Sequence, residues 1–428
     1  MERFDAIVVG AGPAGLACAY TMATDGLSVL LFERGKYPGS KNMWGGAFFG
    51  PQLHALFPGW LEEAPIERVV TRQVLGFLSE KGSVSLDFTS GRFAVPPYNG
   101  FILLRAKFDK WMSKKAEQAG AIVASGMMVD DLLIKGNRFA GVRVGKEEFP
   151  SDAVVLAEGV NGILARKAGL RKELIPGDVK QGVKEVIELP RSVIEDRFKV
   201  RGNEGAALEF VGTCTRGLPG GGFIYTNKEG LSVGVVVDLA ALVKERLKAS
   251  DLLESFKAHP DIQKLIDGGK TVEYSAHLIP ASGVNMMPKL YTDGLLVTGD
   301  AASLLLGTGL ILEGANFAVA SGIAAAETVR AAREKRDFSA NSLSSYPEAL
   351  KKTFVLQDLE TFREAPIFLK NKRIYGAYPD ALVETFETLF RNDGKPRKKT
   401  FRSVREIVRK RIGLKQLLID AWRMRKSV

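Results

Sequence analysis

The chain opens on an apolar run without alternation, Phe4–Val9, followed by six small or cyclic residues, Gly10-Ala11-Gly12-Pro13-Ala14-Gly15. A continuous apolar run predicts a strand buried on both faces, as in a parallel sheet. A small-residue helix follows the turn, and a second apolar run, Leu27–Phe32, closed by Glu33, predicts the next strand. Further along the pattern changes. Between Thr71 and Val95, Val84, Leu86 and Phe88 alternate with polar residues, and strand-like runs return at Val183–Leu189, Ala207–Val211, Phe223–Thr226 and Leu231–Leu239. These stretches predict a second, antiparallel sheet. Phe108–Ala119 reads as a helix, Ala153–Ala157 as a short buried strand, and the chain from Ser339 onward as helical.

The first strand, turn, helix, strand and acid fall in the order of a phosphate-cradling unit. Gly10 permits the tight turn, Gly12 lets backbone approach a pyrophosphate, and Gly15 lets the helix pack on the sheet. Free N–H groups and the helix dipole then meet the phosphates. Glu33 suits a ribose and repels a 2′-phosphate, which argues against an NADP-type ligand. NAD and FAD both remain open from this unit. A second strand-then-acid element, Leu295 to Gly299-Asp300, favours FAD, because Asp300 can accept from ribityl hydroxyls that only a flavin carries; Asp also suits a helix cap. The run Gly307–Asn316 opens an Ala-rich helix, Phe317–Arg330, and either lets a flat ring lie close or is a turn before a packing helix. Gly45-Gly46 suits backbone passing close to the isoalloxazine, while Trp44 and Tyr225 suit either a ring pocket or core packing.

Composition narrows the class. The 428 residues are 46% hydrophobic and 25% charged, an ordinary soluble composition with room for two or three domains. No apolar run approaches the ~18 residues of a spanning helix, and the chain begins on a strand, so a cytoplasmic location is expected. Cys18 and Cys214 provide neither a disulfide framework nor the four thiolates of an iron–sulfur cluster, so a cluster would belong to a partner. The net charge of +11 resides in residues 395–428, where thirteen basic residues face Glu406 and Asp420. The body is formally neutral, which excludes a nucleic-acid reading. In this tail Val404, Ile407, Val408, Leu414, Leu418, Ala421 and Trp422 fall on one face of a basic amphipathic helix, with Gly413 as a kink. Such a helix suits an anionic membrane surface, an acidic partner groove, or docking on its own core. The histidines are His54, His259 and His277, of which His277 is the one to test. No metal set is evident, and no catalytic residue is named.

Several strings carry a family resemblance: Gly10–Gly15, Tyr37-Pro38-Gly39-Ser40-Lys41-Asn42, Arg105–Trp111, Ala157-Glu158-Gly159-Val160-Asn161, Gly220–Lys228, Glu273–His277 and Gly299-Asp300-Ala301-Ala302. Together they resemble the FixC-type flavoproteins of the electron-transfer flavoprotein:quinone oxidoreductase family, over nearly the whole chain. The resemblance implies an α/β fold, α+β overall. Its FAD-binding Rossmann-like domain, of the glutathione-reductase/hydroxylase type, is discontinuous over 1–70, 98–180 and 281–338. An antiparallel-sheet quinone domain is inserted at 71–97 and 181–280, and a helical region covers 339–428. The implied FAD set is Gly10, Gly12, Pro13, Ala14, Gly15, Glu33, Arg34, Lys41, Asn42, Gly45, Gly46, Arg105, Val129, Ala157, Gly159, Gly299, Asp300, Leu312, Gly314, Ala315 and Asn316. The implied partners are the alpha and beta subunits of an electron-transfer flavoprotein, menaquinone or ubiquinone, and the inner face of the cell membrane as a peripheral site. Larger members carry a [4Fe–4S] ferredoxin domain whose cysteines this chain lacks, so the match is to the split form with a separate FixX-like iron–sulfur ferredoxin. Some such assemblies bifurcate electrons, with the bifurcating flavin in a partner. One departure stands out: Glu313-Gly314-Ala315-Asn316 replaces the family's Arg-Gly-Met-Asp and is nearer the pattern of geranylgeranyl reductases, the alternative reading.

Overall fold

The structure, a computed structural model, describes residues 3–41, 45–80, 82–309, 311–394 and 396–427. The first ten strands are β1 (Phe4–Val9), β2 (Val29–Glu33), β3 (Gly45–Phe49), β4 (Ile66–Leu78), β5 (Ser83–Thr89), β6 (Gly100–Leu104), β7 (Ile122–Ser125), β8 (Asp131–Lys135), β9 (Arg138–Val144) and β10 (Glu147–Leu156). The others are β11 (Val179–Glu188), β12 (Glu204–Gly212), β13 (Gly220–Thr226), β14 (Gly230–Asp238), β15 (Lys270–Pro280), β16 (Tyr291–Thr292), β17 (Leu295–Val297), β18 (Leu306–Gly307) and β19 (Leu312–Glu313).

One sheet runs β16-β17-β10-β1-β2-β7, with β9 and β8 continuing from the first half of β10. β1 lies between β10 and β2 and is parallel to both. Its unbroken apolar character is explained by layers on both faces. Ala6, Ile7 and Val8 are fully buried, as are Val154, Val155 and Leu156 of β10. On this sheet lie helices α1 (Pro13–Thr24), α2 (Arg105–Gln118) and α3 (Ala315–Lys335). α1 and α3 are rich in Ala and Gly, so their backbones approach closely. A Cβ at Gly322 of α3 would lie 2.2 Å from the Ala14 carbonyl oxygen of α1.

The second sheet runs β15-β11-β14-β13-β12-β4-β6-β3, with β5 beside β4. Sequence patterning predicts an antiparallel sheet; the structure makes it mixed, because β4 and β12 pair parallel from Val69↔Glu204 to Leu78↔Gly212. Parallel neighbours need a crossover rather than a hairpin, and residues 79–203 supply it. Residues 45–49, 66–70 and 100–104, left by the sequence with the nucleotide-binding unit, pair in this second sheet. Their short apolar runs read alike in either sheet, and only the partners decide. One face, with Val183, Leu208, Phe210, Ile224, Val233 and Val235, packs on the helices Arg191–Phe198 and Ala249–Lys257. The opposite face carries Val70, Ile102, Ala207, Phe223 and Tyr225.

The C-terminal region is helical and ends in α4 (Ala377–Phe390), α5 (Thr400–Arg411) and α6 (Leu414–Ser427). Gly413, at φ +88°, separates α5 from α6, so the expected single amphipathic helix is two. α5 docks: Ile407 is buried, and Arg411 bonds Glu384 of α4 at 2.7 Å. α6 is held at Asp420, whose buried carboxylate accepts two 2.7 Å bonds from Arg373 and one of 2.9 Å from Tyr378 Oη. Its Leu414, Leu418 and Trp422 face outward, Leu418 at 71% exposure and Trp422 at 56%.

Candidate functional site

The phosphate turn forms where β1 leaves the sheet. Gly10 takes φ +103°, donates to the Phe32 carbonyl at 2.8 Å, and leaves only 2.4 Å between a hypothetical Cβ and the Ala157 carbonyl oxygen at the end of β10. A Cβ at Gly15 would meet the Gly10 carbonyl oxygen at 1.9 Å, so this glycine seats α1 against the turn. Gly12 differs: its nearest neighbour is Arg105 Nη2 at 3.8 Å, and the space above it is open. Pro13 occupies the first helical position and no side chain caps α1, which leaves the first-turn N–H groups of Ala14 and Gly15 facing that space. Arg105, at the start of α2, is clamped by two 2.7 Å bonds to Asp109. Burial opposes its charge, but Asp109 and Asp300 outweigh burial and hold the guanidinium above its usual pKa. A permanent cation thus stands over an open helix N-terminus, an arrangement that receives a pyrophosphate.

Glu33, closing β2, accepts from Ala11 N at 3.0 Å and Gly35 N at 2.6 Å. Two backbone donors fix its orientation, and its remaining lone pairs are available to a ribose. The loop after β7 returns to this point, with Met127 N donating to the Glu33 carbonyl at 2.9 Å, and Val129 is half-buried just beyond it. Arg34 and Lys41 are exposed. Asn42 and Trp44 lie outside the described residues. Gly46 is buried in β3 opposite Leu103. Ala157 and Gly159 follow β10, and between them Glu158 caps the helix Ile163–Lys167 by accepting from Leu164 N at 2.9 Å and Ala165 N at 2.8 Å.

The late Gly-Asp element enters the same cleft. Gly299, at φ +61°, is pinned by Ser321 Oγ of α3 at 3.1 Å, and a Cβ there would be 2.8 Å from Ala14 Cβ. Asp300 therefore sits beside the N-terminus of α1. Its carboxylate caps no helix and receives no hydrogen bond among the described residues. Burial raises its pKa, against the pull of His277, Arg105 and Arg171. A buried carboxylate with no donor of its own fits a ligand that brings hydroxyls. His277, solvent-accessible on β15, reaches this cleft electrostatically; the surrounding protein lowers its pKa, Asp300 opposes that, and Arg105 and Arg34 add to it. The other histidines are structural: His54 Nδ1 accepts from Trp60 at 3.2 Å, and His259 bonds the Ser79 carbonyl at 2.9 Å.

The expected Gly-rich loop is a small hairpin, β18–β19, with Leu310 outside the described residues. Leu312 is exposed at its end, Gly314 precedes α3, and Ala315 and Asn316 open that helix two residues earlier than the apolar pattern indicates. Tyr225 stacks on Phe223 at 5.0 Å and bonds Glu209 at 3.5 Å, a pair buried enough to push the Glu209 carboxyl up to about 7. Sequence reasoning missed a pocket beside the hairpin, where Lys180, Asp238 and Pro280 of the second sheet meet Leu306, Gly307 and Leu312 and the helical residues Leu359 and Phe362. No local signal marks it, since its walls come from six separated stretches of the chain.

The ETF-QO/FixC C-terminal domain model matches residues 365–428, the ETF-QO ubiquinone-binding model residues 180–279, and an NAD(P)-binding Rossmann-like model residues 8–43. The chain is 42% identical to Protein FixC of Escherichia coli (strain K12), over 96% of this chain and 94% of that one. It belongs to the ETF-QO/FixC family. Within that family it is also 43% identical to the probable electron transfer flavoprotein-quinone oxidoreductase YdiS of Escherichia coli (strain K12), covering 98% and 97% of the two chains. A geranylgeranyl bacteriochlorophyll reductase-like protein from Thermoplasma acidophilum shares the fold, with a TM-score of 0.74 and 21% identity over 99% of this chain and 100% of that one. The FixC-family chain is an FAD-dependent oxidoreductase. The open Gly12 cradle and the donor-free Asp300 carboxylate both fit that cofactor.

Proposed function

We propose that the chain takes electrons from an electron-transfer flavoprotein of alpha and beta subunits and passes them through FAD to menaquinone or ubiquinone. Bound FAD supplies the two-electron store. The N–H groups of Ala14 and Gly15 with Arg105 hold its pyrophosphate, Glu33 its adenosine ribose, and Asp300 its ribityl chain. Gly45, Gly46 and the β18–β19 hairpin border the ring. The observation that carries the quinone reading is the apolar pocket that touches this hairpin and is walled by Lys180, Pro219 and Asp238, all within the stretch similar to a ubiquinone-binding domain.

Both cysteines are buried in cores, with burial raising the Cys18 thiol and pushing Cys214 up to about 12, so a cluster on the electron path resides in a FixX-like ferredoxin partner. None of the described helices is long and apolar enough to cross a membrane. The outward stripe Leu414, Leu418 and Trp422, bordered by Lys415, Arg423 and Lys426, supports peripheral attachment to the anionic inner face of the cell membrane.

The test is anaerobic turnover. FAD-loaded protein mixed with reduced electron-transfer flavoprotein and a soluble menaquinone analogue is expected to oxidise the first and reduce the second. Failure there, with saturation of a geranylgeranyl chain by a generic reductant, would overturn the reading in favour of an isoprenoid reductase, the alternative that Glu313–Asn316 raises. Co-purification with iron analysis tests the ferredoxin partner and the bifurcating complex.

A further inference from the structure

One amine in the pocket beside the hairpin is not used by the rest of the fold. Lys180 stands near the start of β11, on the sheet face turned away from the packed helices, with Asp238 of β14 and Ile279 of β15 as its register partners. Its ammonium makes no hydrogen bond or ion pair among the described residues. Asp238 is already engaged, accepting from Ala241 N at 2.8 Å to cap the helix Leu239–Glu245. The surrounding walls are apolar, formed by Pro219, Pro280, Leu306, Leu312, Leu359 and Phe362. Besides Asp238, the charged groups lining the pocket are Lys370 and Arg363, and Arg363 is bonded to Glu360 at 3.0 Å. His277 of β15 lies one rung further along the same face, opposite Gly182.

A cation walled by apolar groups without an acceptor is costly, and the cost is relieved when a ligand brings a carbonyl oxygen or when the amine loses its proton. Both tendencies are present here. Burial depresses the Lys180 pKa, Asp238 opposes, and Lys370 adds to the depression.

We propose that Lys180 is a catalytic residue, bonding a carbonyl oxygen of the quinone in this pocket and giving that oxygen its first proton as the ring is reduced. The proposal rests on the quinone-reductase reading above. Reduction adds two electrons, from reduced FAD, which releases its own proton to water as it is oxidised, and two protons to the quinone. One N–H bond of Lys180 breaks, the C=O π bond gives way to an O–H bond, and the second oxygen takes its proton from water. The neutral amine is then recharged by water through the pocket mouth.

The experiment uses the holoenzyme, reduced anaerobically with dithionite and mixed rapidly with menadione, with flavin reoxidation followed across pH. In the wild type the rate is expected to fall as pH rises through the lowered Lys180 pKa. Lys180→Met is expected to be slower by about 100-fold or more, within the range for loss of a general acid, and independent of pH in that window. Lys180→Arg, which keeps a bonding cation but does not release its proton, is expected to retain a near-normal KM for menadione with a low kcat. As a readout apart from turnover, competitive acetylation of the oxidised protein followed by mass spectrometry is expected to show Lys180 reacting at lower pH than the surface lysines. 2-Heptyl-4-hydroxyquinoline N-oxide is expected to shield it. Wild-type and Lys180→Met rates and pH profiles that coincide would overturn the assignment while the quinone reading stands. A wild-type flavin that menadione fails to reoxidise would overturn both.

Discussion

Gly322 illustrates how much of the cofactor cradle is set by single atoms. Its missing Cβ lets α3 lie on the Ala14 carbonyl, and Ala14 stands in the first turn of the helix whose N-terminus faces the open cradle. Gly322→Ala is expected to push the helices apart, costing about 1–3 kcal/mol as overpacking does, and to loosen FAD. Thermal unfolding and flavin retained after gel filtration check this; unchanged values for both would show that the helices accommodate the methyl group. Gly10, Gly12, Gly15 and Glu33 are legible in the sequence because strand, turn and acid lie within one short stretch. Gly322 is not, since the atom that forbids a side chain belongs to a helix at the other end of the chain. Asp300 is intermediate: its place after a strand is legible, but only the fold shows that its carboxylate lacks a donor. Lys180 is illegible for the same reason as Gly322, because its surroundings are assembled from distant segments.

At the scale of elements, the two tail helices divide roles that the sequence reading assigns to one. α5 turns Ile407 inward, while α6 is tethered through Asp420 and turns Leu414, Leu418 and Trp422 out. Substituting Leu418→Ser together with Trp422→Ser is expected to lower partitioning onto vesicles containing phosphatidylglycerol by about tenfold or more, given the apolar area removed. Flavin content and thermal midpoint are expected to hold, because both side chains are largely exposed. Undiminished vesicle binding would reassign this stripe to a protein partner. The helical period and Gly413 are visible in the sequence. Which half docks is not, because it depends on Arg373 and Tyr378 meeting Asp420. Alternation likewise reveals the strands of the second sheet but not the direction of their neighbours.

At the scale of the whole molecule, two large apolar cores are separate. One includes β1, β2, β10, β17, α1 and α3, and the other lies between the second sheet and its covering helices. Most of the FAD set proposed above belongs to the first. Removing FAD is therefore expected to raise amide exchange in β1, α1, β10 and α3 while β13 and β14 stay protected. The difference is expected to approach about 4 kcal/mol when FAD is present at a thousand times its Kd. Uniform loss of protection across both sheets would show that the two cores unfold as one. The parallel pairing of β4 with β12 has a further consequence for how the chain comes into being. β4 leaves the ribosome early, yet its partner emerges only after the crossover between them has been made. During synthesis one edge of β4 has no native neighbour, and closing that long loop comes late and slowly. Nascent chains halted before Glu204 are thus expected to be the species that chaperones hold, whereas chains extended past Gly212 close the sheet and are released.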